Sequence, residues 1–178
     1  MELPLLPIEK IANRHVGLTP SIAENYLEAA RVCLAQLHVS PQEFLLRNEK
    51  NEKKVKVAWE TPDDRCHNAW ANTDDATRDG AYACAIAATE ILLGLFAVRR
   101  AETLTGADYY VSPINRVTED LENCYRLEVS GTRLDKSEVN KRLKKKVNQV
   151  KKGNSNLPAI AVIVGFLVKL ISIKSVEE

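Results

Sequence analysis

GADYYVSPINRVTEDLENCYRLEVSGT, residues 106–132, is the stretch whose reading decides the fold. Tyr125, Leu127 and Val129 alternate with Arg126, Glu128 and Ser130, the period-2 pattern of a strand with one apolar face. Ala107 to Val111 reads as a second strand, entered through the turn residues Thr103-Leu104-Thr105-Gly106. Residues 112–121, opening with Ser112-Pro113, form a polar excursion between the two. Such a pair brings Asp108 and Glu128 to one edge of a sheet.

Toward the N-terminus, Ala81, Cys84, Ala85, Ala88, Ile91 and Leu92 recur at helical spacing. Asp74 or Asp75 can cap this helix and Gly94 can end it. Its many alanines imply close packing against something flat, such as a sheet. Leu95 to Val98 then reads as a strand that finishes at Arg99-Arg100 and forms a hairpin with residues 107–111. The polar run 61–75 reads as a loop and as the place of a subdomain boundary. Before it come a strand at Val55, Val57 and Trp59 and an exposed charged turn over 47–54. Phe44-Leu45-Leu46 marks a short element after Ser40-Pro41. A helix over about 20–38 starts at Thr19-Pro20, and residues 1–19 form a surface arm.

Toward the C-terminus, Val139, Leu143, Val147 and Val150 make a narrow apolar stripe on a helix from Asp135 to Lys152. Gly153-Asn154-Ser155-Asn156 breaks that helix. Leu157 to Val164 is continuously apolar, as expected of a strand buried on both faces, and Leu167 to Ile173 suggests a last strand. The fold expected is α/β. Residues 76–178 would form a helix-strand-strand-strand-helix-strand core, its mixed central sheet flanked by helices. Residues 1–75 would form a helical N-terminal region with one strand.

Composition narrows the function classes. The chain has 178 residues, enough for one sizeable core. Its net charge of +1 provides no global field toward nucleic acid or membrane, so attraction must come from local charge. Cys33, Cys66, Cys84 and Cys124 are far apart and form no CxxC pair, which argues against a disulfide framework or a zinc knuckle. Cys33 and Cys84 fall in apolar helical patterns and read as core. MELPLLPIEK lacks the features of a secretory signal, and the uncharged run 157–168 is too short to span a bilayer. A cytoplasmic protein without membrane contact is expected. His15, His38 and His67 are too scattered to propose a site, and surface or capping roles are expected for them. No histidine follows residue 67, so Ser130 has no base in reach as a nucleophile. Trp59, Trp70, Tyr82, Tyr109 and Tyr110 read as packing residues rather than base-stacking platforms.

The last helix is the strongest charge feature. Lys136, Lys141, Arg142, Lys144, Lys145, Lys146, Lys151 and Lys152 face only Asp135 and Glu138. Lys141, Arg142, Lys144, Lys145 and Lys146 are the candidate contacts to a phosphate backbone of DNA or RNA; otherwise the helix is a solubilising amphipathic face. Asp108 and Glu128 can ligate Mg²⁺, which prefers hard oxygen donors, together with the carbonyl of Val129. Alternatively, Asp108 caps a turn and Glu128 is an exposed strand residue.

The element order, with Gly106 and Asp108 in GADYYV and Glu128 in RLEVSG, resembles the PD-(D/E)xK nuclease superfamily over residues 76–166. GADYY and LEVSG also resemble segments of uncharacterised bacterial proteins. The superfamily resemblance implies a restriction-endonuclease-like core that binds nucleic acid and hydrolyses phosphodiesters with Mg²⁺, in a defence or mobile-element system. Asp108 and Glu128 would be metal ligands, and Glu90 sits where some members carry a further acid. The position two after Glu128 is Ser130 instead of the motif lysine. The missing cation would then come from Lys136, Lys141 or Lys145. An alternative is a catalytically inert adaptor of the same fold, its basic helix docking a partner protein. A homodimer paired through the C-terminal strand is a further expectation.

Overall fold

Residues 159–165 carry apolar side chains at both strand parities, so neither face of this segment can meet water. In the computed structural model, which describes residues 1–117 and 119–177, it forms the central strand of a seven-stranded sheet. The strands are β1 (Gln42–Arg47), β2 (Glu52–Val57), β3 (Phe96–Arg100), β4 (Tyr109–Ser112), β5 (Tyr125–Thr132), β6 (Ala159–Gly165) and β7 (Leu170–Val176). Their spatial order is β2-β1-β7-β6-β5-β4-β3. β5 with β6 and β1 with β7 are parallel, and the other neighbours are antiparallel, giving a mixed sheet.

Helices cover both faces. α1 (Pro20–Leu37) and α3 (Thr73–Leu93) pack together on one side, and α4 (Lys136–Lys151) covers the other as the crossover from β5 to β6. Alternation along β6 divides its side chains accordingly: Ile160, Val162 and Val164 join the main core, while Ala159 and Ala161 meet Val147 and Val150 of α4. The alanines of α3 serve two surfaces, because this helix lies between α1 and the sheet. At Gly80 the backbone of α1 comes close. A Cβ there would lie 2.9 Å from backbone atoms of Ala30.

Sequence signals explain the helix ends. The hydroxyl of Thr19 accepts from the Ile22 N–H at the start of α1, and Gly94 takes φ 64° after α3. Asn72, not Asp74 or Asp75, caps α3; the two aspartates occupy its first turn, favoured by the helix dipole. The run expected to be a loop contains a short helix, α2 (Asp64–Ala69), which Asp63 caps through the Cys66 N–H.

Residue 75 marks no break in the structure. β1 and β2, both N-terminal to it, belong to the same sheet, and α1 shares the main core with α3. β7 lies between β1 and β6; β6 pairs with it along its whole length, and β1 pairs with it over Leu170–Ser172. The N-terminal arm instead guards the two outer strands. Lys56 and the arm exchange hydrogen bonds at β2, where Leu6 N–H donates to the Lys56 carbonyl and Lys56 N–H to that of Pro4. Gly17 N–H donates to the Ala97 carbonyl at β3. No described helix is long and apolar enough to cross a membrane.

His15 is fully buried, against the expectation of a surface or capping role. Its Nδ1 accepts from the Ala97 N–H at 2.9 Å, so in the neutral ring Nε2 carries the proton and donates to Glu90 Oε2 at 2.8 Å. Burial holds its pKa below the ordinary value. Cys33 and Cys84 are core residues as expected, and burial pushes the Cys33 thiol up to about 11.

Candidate metal centre and cationic groove

β4 pairs with β5 only as far as Tyr109 opposite Leu127. Asp108, just before β4, continues the contact with two different groups. Its backbone N–H donates to the Leu127 carbonyl at 2.7 Å, and its Oδ2 accepts from the Val129 N–H at 2.8 Å. The carboxylate therefore takes the place of the next ladder partner and lies at the sheet edge. From α3, the Tyr82 hydroxyl donates to Oδ1 at 2.7 Å. Both carboxylate oxygens are thus fixed in direction.

Glu128 lies on the face of β5 that α4 covers, beside Ala161 in the register. It is only 3% exposed, which rules out the reading of a solvated strand residue. Lys146 Nζ and Gln149 Nε2, both from α4, donate to its Oε1, the latter at 2.9 Å. Burial, and then the neighbouring charge of Asp108, raise its pKa from 4.5 to about 7. Two carboxylates held this close repel one another unless a proton or cation intervenes.

The donor set fits a hard cation. Asp108 and Glu128 are the two carboxylates brought together here, and among the described residues no group of three His, Cys, Asp or Glu comes together. N–H and C=O of one strand residue point to the same edge. The Val129 carbonyl therefore faces the side on which its N–H meets Asp108. Two carboxylates, a carbonyl and waters match what Mg²⁺ accepts.

Glu90 is not part of this set. It binds Arg14 and His15, each at 2.8 Å, and lies eight residues along α3 from Tyr82, about 12 Å at the rise of a helix. Nor do Lys136, Lys141 or Lys145 bond to Glu128; Lys146 does. Glu138, Arg142, Lys146 and Gln149 each immediately precede a residue of the apolar stripe, so they flank the buried face at the spacing of successive turns. That flank was the signal in the sequence. Ser130, two residues after Glu128, accepts from Arg142 at 3.3 Å, and Arg142 is held by Glu138 at 2.9 Å.

Two open clefts meet at Asp108, of about 950 Å³ and 610 Å³. The larger contains Glu128, Arg100, Lys145 and Lys152; the smaller contains Arg78, Arg133, Arg142 and Lys146. Together they present seven Lys or Arg side chains against the four carboxylates of Asp74, Glu102, Asp108 and Glu128. Of the residues proposed for phosphate contact, Arg142, Lys145 and Lys146 line the clefts. Lys141 and Lys144 are exposed and line neither, as does Lys136.

Arg100 and Tyr82 are site residues that the sequence reading missed. The Arg100 guanidinium carbon lies 5.1 Å from the ring centre of Tyr82 and 4.9 Å from that of Tyr109. One of its nitrogens is 3.8 Å from Asp108 Oδ1. Only the Arg-Arg pair at the end of the β3 pattern hinted at it. No protein-family model, curated protein or solved structure matches the chain.

Proposed function

We propose that the chain binds nucleic acid along the two clefts and hydrolyses its phosphodiester bonds with Mg²⁺ held by Asp108 and Glu128. The observation that carries this reading is the convergence of two carboxylates and Lys146 inside a groove lined mainly by cations. The resemblance to PD-(D/E)xK nucleases points the same way.

The chain's own residues have separable roles in this reading. Val129 N–H and the Tyr82 hydroxyl orient Asp108. Gln149 and Lys146 orient Glu128 from α4. When bound, Mg²⁺ would polarise the phosphate and make a water molecule acidic enough to attack it. Lys146, reaching Glu128 from the helix, supplies the positive charge that the motif lysine would bring from the strand. It steadies the charge that builds on the phosphate oxygens. The flanking Arg and Lys side chains hold phosphates on either side of the reacting one.

The test is cleavage of plasmid and single-stranded DNA or RNA with Mg²⁺ or Mn²⁺. Asp108→Asn, Glu128→Gln and Lys146→Met are each expected to reduce the rate about a hundredfold or more. Mg²⁺ is also expected to raise the melting temperature of the wild type and not of Asp108→Asn. Cleavage that survives both carboxylate substitutions would refute the site. Ser130 in place of the motif lysine favours a second reading, an inert module whose basic helix docks a partner. Salt-sensitive nucleic-acid binding with no cleavage by the wild type would select a binding role without chemistry.

A further inference from the structure

Arg100 lines the larger cleft, but it also lines a separate open pocket of about 410 Å³. Tyr109, with Ser21, Ile22, Asn25 and Tyr26 of α1 and Gly17 of the N-terminal arm, lines the rest of it. This volume is in the range of pockets that hold small organic groups. Its accessible lining is the Arg100 guanidinium and the Ile22 side chain with the polar groups of Ser21 and Asn25, over a floor of buried tyrosines, as suits a flat heterocycle. Tyr26 and Tyr109 share a hydrogen bond of 2.6 Å, and Tyr26 stacks on Tyr82 at 4.8 Å, so this wall is rigid.

Arg100 is held on that wall without being consumed by it. The rings of Tyr82 and Tyr109 support its guanidinium, and one nitrogen donates to the Tyr82 hydroxyl at 3.4 Å. Its side chain nevertheless remains 53% exposed, and its approach to Asp108 is too long for a direct hydrogen bond. A planar cation fixed in this way is a stacking platform for a base. The same residue borders the carboxylates, so the base it meets belongs to a nucleotide next to the reacting phosphate.

We infer that this cavity receives an unpaired base of the bound strand, stacked on Arg100, and that the site therefore acts on single-stranded nucleic acid. A base seated there cannot remain in a duplex stack. This rests on the nucleic-acid reading above and adds the class of substrate to it.

The test uses the full chain carrying Glu128→Gln, so that strands are bound without being cut. Fluorescence anisotropy compares an oligothymidylate of about eight nucleotides with an abasic strand that carries the same phosphates. The oligothymidylate is expected to bind about tenfold more tightly, the contribution of one stacked base. Adding Arg100→Ala, or Ile22→Trp to fill the cavity while keeping the cation, is expected to bring the two affinities within about twofold. Circular dichroism melts establish that both variants fold. Equal affinity of the parent for the two strands overturns the base cavity and leaves the phosphate groove standing. So does a ratio that neither added substitution changes, or a hairpin duplex bound as tightly as the single strand. Binding of neither strand at low salt removes the nucleic-acid reading itself, and the cavity assignment with it.

Discussion

Glu128 is costly to ionise where it sits. Its pKa is raised to about 7 by burial and by Asp108, so the native state keeps a proton that the unfolded chain loses near pH 4.5. Between those values the unfolded state binds fewer protons, and stability falls as pH rises. Below about 4.5 both states are protonated and the effect vanishes. Glu128→Gln mimics the protonated acid. It is expected to be more stable than the wild type at pH 8 by up to about 3 kcal/mol, less what the lost ion pair with Lys146 contributes, with the gap closing toward pH 4. Urea unfolding across that range measures it, and parallel curves for the two proteins would show that Glu128 titrates normally. Asp108 and Glu128 were legible in the sequence because turn and strand signals bracket them. Lys146 was legible only as one basic residue among several. Arg126 was not legible at all: alternation places it on a strand face, yet it is buried and donates to the carbonyls of Thr105, Val150 and Leu157. Those acceptors come from three separate segments, which no local pattern relates.

At the level of elements, the alanine-rich α3 is the best example of a correct helix with an incomplete partner. Its period gave its existence and its end at Gly94, and its small residues indicated a close neighbour. That neighbour is α1 as well as the sheet, because small side chains allow two layers to approach one helix. Gly80→Ala places a methyl group against the Ala30 backbone, where no side chain can turn aside. A loss of about 1–3 kcal/mol is expected, the usual effect of overpacking, and thermal unfolding measures it. A neutral result would mean that α1 can shift outward without loss. α4 likewise followed its sequence, from its Asp135 cap to Lys151, while its function depends on which flank of its stripe meets β5. The crossover handedness and the register of β5 decide that.

For the whole molecule, the N-terminal arm has a role that its sequence did not announce. It bonds to Lys56 on β2 and to Ala97 on β3, the two outer strands of the sheet. Unpaired outer strands invite pairing with another chain. Removing residues 1–8 is expected to expose the β2 edge and the apolar surface that Leu6 and Ile8 cover. The shortened protein should self-associate in sedimentation or size-exclusion measurements at concentrations where the full chain does not. A shortened protein that matches the full chain would show that the β2 edge is protected by its own charges.

The sequence by itself determined the α/β class, most of the elements and the placing of Glu128 on one strand and Asp108 at the start of its neighbour. Periodicity, caps and turn residues are local, and the chain carries them wherever it folds. Only the tertiary structure decided that residues 1–75 complete the same sheet, that Glu90 belongs to a buried cluster with His15, and that Lys146 is the cation on Glu128. It also gathered Tyr82 and Arg100 beside Asp108. These relations join segments far apart in the chain, and they are set by how the layers pack rather than by any spacing that could be read along it.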